Sequence, residues 1–148
     1  PRYESTQEDL ESQYTYLLAV RDKITETHQA IKLIRLYRSE LDSLTTKPEN
    51  LEKIKAEMQE IEETLYQTQN RSGQDPLNFP IRLNNKLAHL TSVVGSGDYR
   101  PTDSSEEVRK EITTQIDVQL ARFRKLEREQ ISRVLNIDEM KTKLEKKK

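Results

Sequence analysis

Apolar residues recur along most of this chain at helical spacing. Over residues 7–44, Leu10, Tyr14, Leu17, Ile24 and Ile31 fall on one face, joined by Leu18, Ile34, Leu41 and Leu44. No glycine or proline interrupts the chain between Thr6 and Thr46. The pattern predicts one helix of about 38 residues, roughly 57 Å long. Thr6 is its expected N-cap, with Asp9 three residues on and Glu8 and Glu11 at the positive end of the helix dipole.

A second helix is expected over 47–69. Pro48 disfavours a helical Lys47, Thr46 and Glu49 match a capping box, and Leu51, Ile54, Met58, Ile61 and Leu65 form an unbroken stripe. So short a connection makes the first two helices antiparallel neighbours, and the shorter second helix leaves the start of the first to be covered by later ones. Residues 70–80, with Gly73, Asp75-Pro76 and Asn78-Phe79-Pro80, read as a connector pinned by Leu77 and Phe79. A third helix over 80–94 carries Leu83, Leu87, Leu90 and Val94 and stops at Gly95-Ser96-Gly97. A fourth over 103–135 carries Val108, Ile112, Ile116, Leu120, Phe123, Leu126 and Val134, with Thr102 as N-cap and Ser104/Glu107 as a competing box. Residues 137–148 are expected to be a frayed basic tail, although Ile137, Met140 and Leu144 continue the stripe. The fold class is therefore all-α: one domain over 1–148, an antiparallel bundle of two helical hairpins with long, coiled-coil-like helices.

Composition agrees. Of 148 residues, 32% are apolar and 34% charged, against about 45–50% and 25% in an ordinary domain. Thin buried stripes follow, rather than a thick multilayer core. Three glycines and five prolines leave few turn formers for a many-stranded β fold. The net charge of −1 lacks the basic excess expected of a nucleic-acid-binding surface, so no nucleic acid partner is expected. No apolar run reaches the roughly 20 residues that span a bilayer. Residues 1–20 lack the profile of a signal peptide, and Pro1 in place of methionine reads as the start of a processed or excised piece.

Candidate chemistry is sparse. The absence of cysteine removes thiolate metal sites, disulfides and thiol nucleophiles. His28 and His89 are the only histidines, and neither follows a glutamate by three residues as a di-iron bundle requires. Structural or surface roles suit both. The acids Glu60, Glu62, Glu63, Glu106 and Glu107 read as solvated helix faces, so no catalytic, cofactor or metal residue is assigned. Arg122, Arg124, Lys125 and Arg128, with the lysines of 141–148, form a basic series. It reads either as a contact for an anionic partner or, preferably, as a solvated face interleaved with Glu127, Glu129 and Glu145. Asn70-Arg71-Ser72 matches the N-glycosylation pattern. The six tyrosines suit helix seams.

The least generic stretch is 75–87. Asn84 and Asn85 are mediocre helix formers, so their place in a helix predicts side-chain hydrogen bonds that clamp the connector, with Asp75, Pro76, Phe79 and Pro80 as the other members. On these residues, with Pro1-Arg2 and Gln7-Glu8-Asp9-Leu10, Val20 to Ile24 followed by 31–38, and 97–102 followed by Asp117-Val118-Gln119-Leu120, the chain resembles a known family. It is similar to the helical C-terminal region of large bacterial sortilin-like proteins built on BNR/Asp-box-repeat β-propellers, often labelled glycosyl hydrolases. The similarity runs from Pro1 to about Leu135, and the tail from Asn136 departs from it.

The resemblance implies a segment that follows propellers and a small β-domain in an exported, periplasmic, cell-envelope or secreted protein. An Asp box reads S-x-D-x-G-x-T-W, and a chain without tryptophan contains none, so no catalytic residue carries over. The expected function is a non-catalytic interaction or scaffolding module. Its partners would be proteins: propeller domains of the same polypeptide, another subunit, or further copies of itself. Binding would use the exposed flank of the first helix or the connector. The alternatives are an accessory region completing a propeller hydrolase active site and a free-standing coiled-coil assembly protein.

Overall fold

A computed structural model describes residues 4–69 and 79–146. Five α-helices pack into an antiparallel bundle: α1 Gln7–Ser43, α2 Leu51–Leu65, α3 Leu83–Val94, α4 Asp103–Glu129 and α5 Ile137–Glu145, with a 3-10 turn Ile131–Arg133 after α4. No strand occurs among the described residues.

The helix starts follow their caps where a side chain can reach. Thr6 and Asp9 close a reciprocal capping box on α1. The Thr102 hydroxyl accepts the Ser105 N–H at the start of α4. At α2 the expected box of Thr46 and Glu49 does not form. The helix begins at Leu51, Asn50 offers no side-chain cap, and the Leu51 N–H instead closes a turn onto the Pro48 carbonyl. The expected bounds 47–69 and 80–94 thus shorten to Leu51–Leu65 and Leu83–Val94.

α1 is the spine. Its 37 residues extend about 55 Å, and no other helix matches it. α2 runs antiparallel along its C-terminal half, tied by Lys55 to Asp42 at 2.6 Å. α3 runs antiparallel along its N-terminal half, where the Gln13 amide donates to the Val94 and Gly97 carbonyls at 2.7 and 2.6 Å. α4 lies parallel to α1, from the Tyr16 hydroxyl on the Ser105 carbonyl to Lys23 on Asp117. The two hairpins therefore share one bundle of three rods, in which α2 and α3 follow each other end to end. That arrangement covers the start of α1.

The stripes of α2 and α3, and that of α4 from Ile112 to Leu126, are buried as read. On α1 the face is rotated. Tyr16, Val20, Thr27 and Ala30 are buried on it. Along the series expected to face the core, Ile31 is buried, Ile24 and Leu17 are half-buried, and Leu10 is exposed, as is Tyr14. A seven-residue step on a straight helix slips about 20° per heptad, so three heptads carry Leu10 roughly 60° from the place of Ile31.

The tail also departs from expectation. α4 ends at Glu129, and residues 137–145 form a helix instead of fraying, with the Asn136 side chain accepting the Glu139 N–H as its N-cap. Met140 is buried against the core, and α5 packs on α1. Tyr37, fully buried, donates to Glu127 Oε1 at 2.5 Å, and Lys141 of α5 reaches Glu127 Oε2 at 3.1 Å. Burial first, and the Glu127 carboxylate second, push the Tyr37 phenol well above its ordinary value.

Met140→Ala is expected to lower unfolding stability by about 2 kcal/mol, the usual cost of truncating a buried methionine. Urea unfolding reads this directly, and an unchanged midpoint would mean that α5 contributes nothing.

Candidate interaction surfaces

No group of three or more His, Cys, Asp or Glu side chains is placed to hold a metal among the described residues. His28 and His89 are both exposed, and His28 meets the edge of the Tyr66 ring at 6.1 Å between centroids.

The clamp predicted from sequence resolves into different parts. Asp75 and Pro76 lie outside the described residues. Phe79 is half-buried, Pro80 and Asn85 are exposed, and Asn84 is buried. The Asn84 Oδ1 atom is enclosed without a hydrogen-bond partner among the described residues. Gln67, which sequence reasoning missed, ties together the described residues on either side of 70–78. Its Nε2 donates to the Pro80 carbonyl at 2.7 Å and its Oε1 accepts the Gln69 N–H at 2.9 Å. Nothing in the local sequence marks Gln67, since its burial and its partner Pro80 appear only in the fold.

The acids on α2 are not all solvated. Glu62 is buried and takes Arg35 at 2.6 Å and Arg38 at 3.1 Å, two guanidiniums from α1. Arg35 also lies over the Tyr66 ring at 5.5 Å. A buried carboxylate left unpaired costs several kcal/mol, so this pair sets the α1–α2 register more than it adds stability. The basic series on α4 is largely paired on the surface, Arg122 with Glu60 and Arg124 with Glu26.

Three surface features remain. At the N-terminal end of the bundle a cleft of about 440 Å³ opens between α1 and α4, with Tyr16, Ala19 and Pro101 among its lining. Arg109 lies over the Tyr16 ring at 5.6 Å and grips Glu106 through two hydrogen bonds of 2.8 and 2.6 Å. That grip holds the Glu106 carboxyl below its ordinary value of 4.5. On a different face of α1 from the cleft lining, Leu10 and Tyr14 stand out at 43% and 65% exposure. Further along α1 a furrow against α5 consists of two adjoining cavities of about 330 and 190 Å³, which share Lys32 and Leu144. These arrangements can bind surfaces; none brings a nucleophile, a base and an orienting acid together.

Gln67→Ala is expected to cost about 1–2 kcal/mol, because two buried hydrogen bonds are lost. Asn84→Ala costs less, since its oxygen is already unpaired among the described residues; thermal melts of the two variants rank them. The Glu106–Arg109 pair contributes stability that is complete above about pH 4.5 and lost as pH falls through the depressed value. Glu106→Gln should therefore flatten the acid limb of a stability-against-pH curve and leave the neutral limb's shape unchanged. Comparison with protein-family models, curated proteins and solved structures finds no match to this chain.

Proposed function

We propose that this chain is a non-catalytic helical interaction or scaffolding module, the C-terminal part of a larger exported β-propeller protein. The observation that carries the interaction reading is the unpaired flank of α1, where Leu10 and Tyr14 stand exposed at 43% and 65%. Single exposed apolar residues are ordinary, but a leucine and a tyrosine one helical turn apart make an anchor of the kind that protein interfaces use.

The propeller context rests on the resemblance of the sequence segments named above. Residues 7–10 and 97–102 lie far apart in sequence yet meet at one end of the bundle, where Arg100 reaches Glu8 at 3.6 Å and Gln13 caps the Gly97 carbonyl. An end built from both would be the natural place to receive a neighbouring domain, and the export of that larger protein is part of the same proposal. Among the described residues, no helix is long and apolar enough to cross a membrane.

The test uses the longest natural polypeptide that contains these residues. Deleting 1–148 should abolish its assembly with partner domains or subunits and leave any turnover by linked domains unchanged. Leu10→Ser with Tyr14→Ser should weaken assembly about tenfold or more, the 1.4 kcal/mol or above typical of losing an aromatic anchor. Loss of turnover with assembly intact would overturn the scaffold reading in favour of an accessory role in catalysis.

A further inference from the structure

We infer that the furrow between α1 and α5 takes the acidic N-terminal turns of α1 from a second copy of the chain, giving a head-to-tail contact. The inference rests on reading the chain as an interaction module and adds the identity of one partner.

The furrow has a leucine floor, Leu33 and Leu36 from α1 and Leu144 from α5, all half-buried. Its rim is basic: Lys32, Arg35, Lys141 and Lys143, against Glu145 as the one acid among the lining residues. Three of these cations are partly neutralised, Arg35 by Glu62, Lys141 by Glu127 and Lys143 by Glu40 and Glu139. Lys32 has no carboxylate within bridging distance among the described residues. A groove with this lining fits a segment that offers apolar side chains between carboxylates.

The chain contains such a segment. Residues 4–20 hold four carboxylates, Glu4, Glu8, Asp9 and Glu11, and no lysine or arginine; Glu8 is partly neutralised by Arg100 at 3.6 Å and Asp9 closes the cap on Thr6, which leaves Glu4 and Glu11 as the segment's unbridged acids among the described residues. Leu10 and Tyr14 project from the same turns with nothing packed over them. The two features are complementary in both charge and polarity, but they cannot meet within one molecule. They sit on the same uninterrupted helix, and the 23 residues from Leu10 to Leu33 separate them by about 35 Å. Only another copy can join them. The contact uses different surfaces on the two molecules, so it propagates or closes into a ring rather than stopping at a symmetric dimer. It is small, and so weak and sensitive to salt.

Sedimentation velocity of the 148-residue chain tests this. The mean mass should rise above 17.4 kDa as concentration approaches about 1 mM at low salt and fall back at high salt. Leu10→Ser with Tyr14→Ser removes one surface, and Lys32→Glu with Leu144→Ser removes the other; each variant alone should stay monomeric. Mixed, they retain one intact surface of each kind and should form a one-to-one dimer that grows no further. Lys32→Glu alone, an exposed change, serves if the double variant on the furrow loses helicity by circular dichroism. A wild-type chain that stays monomeric, single-surface variants that associate like wild type, or a mixture that stays monomeric would each overturn the inference. So would a furrow that binds only anionic vesicles. A monomeric chain would leave the module reading standing, since that reading is decided by the deletion in the full polypeptide.

Discussion

A 37-residue helix with a single buried stripe has to be covered along about 55 Å, and every other feature of the bundle answers to that demand. None of the remaining helices is long enough to do it alone. The chain meets the requirement by laying α2 and α3 in tandem along α1 and packing α4 against all three. With only 32% apolar residues, each helix contributes one thin seam, and the core is a continuous line from Tyr16 and Val94 at one end to Leu41, Leu51 and Ile131 at the other.

Thin seams leave register open, because leucines and isoleucines a turn apart pack almost as well after a slide. Buried polar pairs close that freedom. Glu62 between Arg35 and Arg38 locks α2 against α1, and Tyr37 on Glu127 locks α4, with Lys141 bringing α5 into the same knot. Gln13 and Gln67 do the equivalent work on backbone carbonyls at the ends of α3 and the connector. Such groups add little net stability when paired, and removing one partner strands the other in a poorly solvated place. Their contribution is to make one alignment better than its neighbours.

The same economy shapes the surface. A chain that spends its apolar residues on seams leaves others outside, such as Val93 on α3 and Val118 on α4, but Leu10 and Tyr14 one turn apart on α1 and the leucine floor of the α1–α5 furrow stand out as groups. Both lie on the one helix that no neighbour wraps completely. At the N-terminal end of the bundle the polar side chains pair with each other, as Arg109 does with Glu106 beside the Tyr16 ring.

Helical class, the stripes of α2, α3 and α4 and the caps at Thr6 and Thr102 were legible in the sequence, because they depend on spacing and on contacts no more than four residues apart. The core face of α1 was half legible: steps of seven point to Leu10, and only steps of 3.6 followed over three heptads turn the face toward Tyr16 and Val20. α5 was signalled by Asn136 three residues before Glu139, yet whether so short a helix forms depends on packing against α1. The solvated reading of Glu62 and Glu127 failed for one reason. A polar side chain's partner across the bundle can lie tens of residues away, 27 for Arg35 and Glu62 and 90 for Tyr37 and Glu127, and no local pattern encodes it. Local spacing determined which segments coil and where most of them bury; which helices are neighbours, in what register, and which apolar residues remain uncovered was decided by tertiary packing alone, because those outcomes depend on surfaces that meet only once the chain has folded.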